Sequence, residues 1–235
     1  MNDVTRPLDP LGDGLPVPAD APLRAAVTKG RLLQCSIAMF EAAGADCSAL
    51  RKPGRRLILP VSLPGGPGFE VVLAKAPDVI TYVERGACDL GIVGKDTILE
   101  RGQSFYEVLD LGFGACRFML AVREGEDFFG RMHHRTVASK YPLVTRQFFE
   151  RRGMDVDIIH IEGSVELAPI LGLADGIVDL VETGGTLREN GLHPIETVAE
   201  ISARLIANVA AVKTKRGPVT RFIDLCREAV LCSPS

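Results

Sequence analysis

The chain has no excess of positive charge: 27 lysines and arginines stand against 30 aspartates and glutamates, a formal net of −3. Proteins that coat nucleic acid usually show the opposite balance, so nucleic acid is not expected as a partner. No apolar run approaches the roughly 18–20 residues needed to span a bilayer, and no membrane partner is expected. The first twenty residues hold five acidic or basic side chains and four prolines, without the apolar stretch of a secretory leader. They read as a flexible tail over 1–20 on a cytoplasmic protein. None of the six cysteines (Cys35, Cys47, Cys88, Cys116, Cys226, Cys232) belongs to a Cys-x-x-Cys pair. That absence speaks against structural zinc and fits a reducing compartment; four of the six lie in apolar stretches and read as buried thiols. His133-His134 stand in a polar excursion over 123–134 with no third ligand in view, so they read as surface and no protein-held metal is expected. No internal repeat or heptad array is present.

What is present is an ordinary globular balance, 46 % apolar and 24 % charged over 235 residues, enough for one large domain or two small ones. Short apolar runs alternate with amphipathic stretches. Leu23–Val27, Leu57–Val61, Glu70–Leu73, Leu90–Val93, Val108–Leu111, Arg117–Val122, Thr136–Ala138, Val156–Ile161 and Ile177–Val181 read as strands. Leu33, Ile37 and Phe40 share one helical face that stops at Gly44. Helices follow at Pro77 to about Gly86, Pro142–Arg152, Val165–Leu171 and Val219–Val230, and Thr197–Val212 is one long stretch, apolar or β-branched at many positions. The alternation predicts an α/β fold of two lobes with mainly parallel sheets and a ligand cleft between them. Residues 21–110 form the first lobe, joined by part of 198–235, and 111–197 form the second.

The densest chemistry is in Asp175–Leu187. An apolar run interrupted by Asp179 breaks after Glu182 into Thr183-Gly184-Gly185-Thr186, a turn whose N–H groups and hydroxyls suit a phosphate. The flanking carboxylates suit a ligand that also offers sugar hydroxyls or carries a divalent cation; a phosphorylated ribose does both. The plainer reading of the turn is a strand–turn–helix link in which Thr183 caps the next helix. From Glu166 through Gly172, Ala174, Ile177, Asp179, Thr183, Gly184 and Thr186 to Leu187, the string resembles the signature of the ATP phosphoribosyltransferase family. The likeness continues in Thr28-Lys29-Gly30-Arg31-Leu32, in Asp78-Val79 and Tyr82–Asp96, and in Ile201–Asn208, in order over about residues 23–225.

This resemblance implies transfer of the ribosyl carbon of phosphoribosyl pyrophosphate (PRPP) to N1 of ATP, with pyrophosphate leaving, the first step of histidine biosynthesis. It implies a type II periplasmic-binding-protein-like fold. On the PRPP side it implies Glu166, Asp179, Glu182, Thr183, Gly184, Gly185, Thr186 and Leu187; on the ATP side Lys29, Gly30, Lys75, Asp78 and Asp96. Arg31 and Arg55 match positions that face the leaving pyrophosphate, where a permanently charged fork suits the developing charge, and Mg²⁺ is expected with PRPP or ATP. Each has a plainer reading. Arg55 lies in the basic run 51–56, which alone reads as a solvated turn. Asp96 reads equally as a cap for a helix over 97–101, and Asp78 as a first-turn acid. Where the family usually has Arg, three residues before Asp78, this chain has Lys75, and Lys is the weaker partner for a bidentate contact; Ile80 stands where proline is usual. The chain ends soon after the 219–230 helix, with no length for the long form's regulatory domain. It therefore resembles the short form, which implies a homodimer joined to a regulatory subunit similar to histidyl-tRNA synthetase. The rival classes are a binding module, which would favour a signal sequence, and a salvage phosphoribosyltransferase, whose loop follows two adjacent acids.

Overall fold

A computed structural model describes residues 22–64, 66–102, 104–130 and 134–232. The expected tail over 1–20 and the reading of His133 lie outside these residues. The first sheet takes β1 (Leu23–Thr28), β2 (Ile58–Leu63), β3 (Gly66–Ala74), β4 (Leu90–Gly94), β5 (Phe105–Asp110) and β11 (Ala203–Asn208), in the order β2-β3-β1-β4-β11-β5. The second takes β6 (Cys116–Arg123), β7 (Arg135–Ser139), β8 (Val156–His160), β9 (Gly176–Val181) and β10 (Leu192–Ile201), in the order β10-β6-β9-β7-β8. The chain thus changes sheets between β5 and β6 and returns at Ser202.

The α/β class and the two sheets agree with the expectation, but "mainly parallel" does not hold. Parallel pairing is confined to β3-β1-β4 and to β8-β7-β9. The pairs β2-β3, β4-β11, β11-β5, β10-β6 and β6-β9 are antiparallel. The parallel trios are wound through helices, as parallel pairing requires. Antiparallel pairing needs no such crossover, and periodicity in the sequence does not reveal which way a strand pairs. Thr197–Val212 is likewise three elements: the end of β10, β11, and the helix α8 (Val209–Thr214), whose start is capped by Asn208 accepting from the Ala211 N–H at 2.9 Å. The 123–134 excursion is not all surface, because Phe128 is buried and packs beside Phe149.

Burial explains the local choices. All of β4, Leu-Gly-Ile-Val-Gly, is buried, as an unbroken apolar run between two helical layers should be. In α1 (Arg31–Ala42), Leu33, Ile37 and Phe40 point inward, following helical periodicity. Phe40 meets Phe69 of β3 edge-on at 5.2 Å, and both meet Phe222 of α9 (Arg216–Cys232) at 5.8 and 4.9 Å. Each such pair contributes about 0.5–1.5 kcal/mol beyond its buried area, and together they pin the last helix onto the first sheet. A second core gathers around Phe118, Leu120, Phe148 and Phe149 on the second sheet.

Candidate active site

The parallel strands of each sheet end at one edge, where open α/β sheets bind their ligands. In the first sheet Thr28 is level with Ala74 and Val27 with Ile92. The segments leaving β1, β3 and β4 therefore set Lys29-Gly30-Arg31, Lys75 with Asp78, and Asp96 along the same edge. The Leu73 N–H donates to the Leu57 carbonyl at 2.8 Å, which brings the turn carrying Arg55 to that end too. In the second sheet Ser139 of β7 is level with Val178 of β9. The chain beyond them delivers Tyr141, at the start of α5 (Pro142–Glu150), and the loop Glu182–Leu187.

The two edges meet. The Arg31 guanidinium, on the first residue of α1, donates from Nη1 to Glu182 Oε2 at 2.5 Å across 151 residues of sequence. The partly buried Tyr141 hydroxyl donates to Asp96 Oδ2 at 3.3 Å, and its ring stands edge-on to Phe118 at 4.7 Å. Burial first, then the nearby Asp96 and Asp179 carboxylates, raise the Tyr141 phenol well above the usual range; it stays a donor at neutral pH. Burial also raises the Asp179 carboxyl, and Glu166 adds to the rise, opposed by the Leu180 N–H that Asp179 accepts at 2.8 Å. Cys116, at the head of β6, lies in the fields of Asp96, Arg31 and Glu182, and its thiol is raised chiefly by burial.

The 183–187 loop has the backbone that an anion cradle needs. Gly184 sits at φ 73°, ψ 10° and leads into the short helix α7 (Gly185–Glu189), a left-handed conformation that costs other residues about 1–2 kcal/mol. Thr183 does not cap α7: the cap position is Gly184 and no side chain bonds there. That leaves the hydroxyls of the exposed Thr183 and Thr186 open to a ligand. Asp96 is not a helix cap either. The helix α4 (Lys95–Arg101) begins before it, with Gly94 at the cap. Its carboxylate folds back so closely that a Cβ on Gly94 would lie 2.0 Å from Asp96 Oδ1.

The structure thus draws together Arg31, Glu182, Asp96 and Asp179 with the 183–187 loop. Lys29, Lys75, Asp78 and Arg55 lie exposed at the first sheet's edge, with no ion pair recorded for any of them among the described residues. Arg51, in the same basic run as Arg55, is instead bound to Glu41. Two groups escaped the sequence reading. Tyr141 is one; its signal was a tyrosine at a helix start, where a short polar residue is preferred. Glu100 of α4 is the other. Its carboxylate accepts from the Leu143 N–H at 3.1 and 3.0 Å and from the Val144 N–H at 3.0 Å, supplying from the opposite sheet the cap that α5 lacks. Pairing between residues 43 positions apart leaves no local pattern.

Comparison with known proteins gives this site a context. The family model described as ATP phosphoribosyltransferase matches residues 75–228. An ATP phosphoribosyltransferase of Clostridium kluyveri is 50 % identical over 202 residues, 86 % of this chain and 91 % of the relative. Among solved structures, the ATP phosphoribosyl transferase (HisG:HisZ) complex from Thermotoga maritima contains a chain that superposes with a TM-score of 0.75 at 30 % identity, over 90 % of this chain and all of that one. The periplasmic aliphatic sulphonate binding protein SsuA from Escherichia coli superposes with a TM-score of 0.56 at 13 % identity, over 88 % and 68 % of the two chains; at that identity only the two-sheet fold is shared. On the strength of the matched segment and the close relatives, the chain belongs to the ATP phosphoribosyltransferase family.

Proposed function

We propose that the two edges divide one reaction between them. The enzyme moves the phosphoribosyl group of PRPP to N1 of ATP, releasing pyrophosphate, at the first step of histidine biosynthesis. In our reading, Thr183–Thr186 and the backbone that ends at Leu187 hold the 5′-phosphate. Asp179 accepts from the ribose hydroxyls, with Glu166 and Glu182 alongside. Arg31 and Arg55 bind the pyrophosphate and gain strength as its charge grows, the condition for lowering the barrier rather than only tightening binding. Lys29, Gly30, Lys75, Asp78 and Asp96 receive ATP from the first sheet. The observation that carries this reading is the Arg31–Glu182 contact, which sets a cation of the first sheet against the phosphate loop of the second.

Mg²⁺ enters the reading with the substrates. Among the described residues no three histidine, cysteine or acidic side chains converge as a cage; the carboxylates of Asp179 and Glu182 beside the loop suit an ion already held by phosphate oxygens. Bound there, Mg²⁺ supplies charge neutralisation of the departing pyrophosphate. We further propose a cytoplasmic homodimer that joins a histidyl-tRNA-synthetase-like regulatory subunit; the likeness to a chain of the HisG:HisZ complex supports the second step. The test is to mix the purified chain, with and without such a subunit, with ATP, PRPP and Mg²⁺ and follow the absorbance of N1-ribosylated adenine. No product under either condition overturns the reading.

A further inference from the structure

The Arg31–Glu182 pair is an awkward one for a pyrophosphate site. Its guanidinium is the cation assigned to the leaving group, yet a carboxylate already occupies it at 2.5 Å. Both partners are open to solvent, with 52 % and 59 % of their side chains exposed, so the contact is not forced by packing. It also joins the loop leaving β1 to the loop leaving β9, that is, one sheet to the other. Bonding to Glu182 is the main reason the Arg31 guanidinium is held more firmly charged.

We infer that Glu182 is an internal competitor for Arg31: a carboxylate latch across the cleft that incoming pyrophosphate has to displace. This rests on the assignment of Arg31 above, and it changes the part played by Glu182 from ligand to gate. The argument is one of charge. A carboxylate matches a guanidinium in geometry as a phosphate does, so Glu182 satisfies Arg31 from within the protein. A 5′-phosphate on Thr183–Thr186 and a pyrophosphate at Arg31 would bring two anions against Glu182. Like charges brought that close repel even where solvent screens them in part, so the carboxylate yields its place. The latch lowers the apparent affinity of the site by the fraction of protein in which it is shut. An exposed single ion pair contributes only a modest interaction, which sets that effect at about two- to fivefold. The latch joins the two sheets and weakens binding without preventing it.

The experiment is calorimetric titration of inorganic pyrophosphate, in chelator and without Mg²⁺, into the intact protein and into Glu182→Gln, Arg31→Gln and the double variant. Glu182→Gln should bind about two- to fivefold tighter than the parent at low ionic strength, and the advantage should shrink as salt screens the pair. In the Arg31→Gln background the second substitution should give no gain. Equal or weaker binding by Glu182→Gln overturns the latch and returns Glu182 to the role of ligand. An equal gain in the Arg31→Gln background also overturns it, since removal of any nearby negative charge would then explain the result. Pyrophosphate binding by none of the four overturns the site assignment itself, and the latch with it.

Discussion

Glu100 offers a sharp test of how the two sheets are held. Helix α5 begins Tyr141-Pro142-Leu143-Val144. Tyr141 cannot cap it, and Pro142 has no N–H to satisfy, so the open donors are those of Leu143 and Val144. Glu100 takes both, at 3.0–3.1 Å. Replacing a side-chain cap by alanine costs about 0.5–2 kcal/mol, typically about 1. A charged acceptor shared by two donors raises that value, and solvent access to the partly exposed Glu100 lowers it. The expected cost of Glu100→Ala is therefore about 1–2 kcal/mol. For a chain of this size each kcal/mol moves the midpoint by about 2–4 °C, so thermal unfolding followed by circular dichroism should fall by about 2–8 °C. Glu100→Gln, which keeps one acceptor oxygen, should lose about half as much. Asp96 and Glu100 both lie on α4 and meet the start of α5, so Glu100→Ala should also loosen the Tyr141–Asp96 contact and raise the KM for ATP. A midpoint within about 1 °C of the parent would show that water satisfies those donors equally well, and the reasoning would fail.

Further outcomes follow from the site. Arg31→Ala should lower kcat by about a hundredfold or more, the usual effect of removing one group aimed at developing charge, with Arg31→Lys intermediate; steady-state rates at saturating substrates decide this. Arg55→Ala should reduce kcat far more than it weakens ATP binding, and an unchanged rate removes Arg55 from the site. Gly184→Ala forces a side chain into the left-handed region at about 1–2 kcal/mol and should raise the KM for PRPP about tenfold, read from initial rates. Asp179 is held above the ordinary aspartate range by burial and Glu166. Its protonated form therefore favours the folded state: the contribution is full below the unfolded value and is lost as pH rises through the elevated one. Asp179→Asn should consequently be more stable than the parent at neutral pH, with the gain vanishing in acid, while losing affinity for PRPP. Thermal midpoints across pH would expose the opposite trend if burial were not the dominant cause.

Much of this was legible from sequence because the physics involved is local. The apolar run of β4, the helical face of Leu33, Ile37 and Phe40, and the Gly184 turn after β9 all depend on neighbours a few residues away. The string from Glu166 to Leu187 carried enough fixed positions to name a chemistry. What stayed hidden depends on which distant segments lie side by side. Nothing in the run 197–212 says that it leaves one sheet, enters the other antiparallel and then turns helical, since pairing direction is set by the partner strand. Nor does Glu100 announce that it caps a helix 43 residues on.

The sequence alone determined most of the elements, the α/β class and the family resemblance, because backbone preference, periodicity and glycine's freedom act within short spans. Only the tertiary structure decided that the strand ends of the two sheets face one another, that Tyr141 rather than a cap organises Asp96, and that Arg31 meets Glu182. Those contacts join residues as many as 151 positions apart, and electrostatic interaction depends on distance through space rather than along the chain.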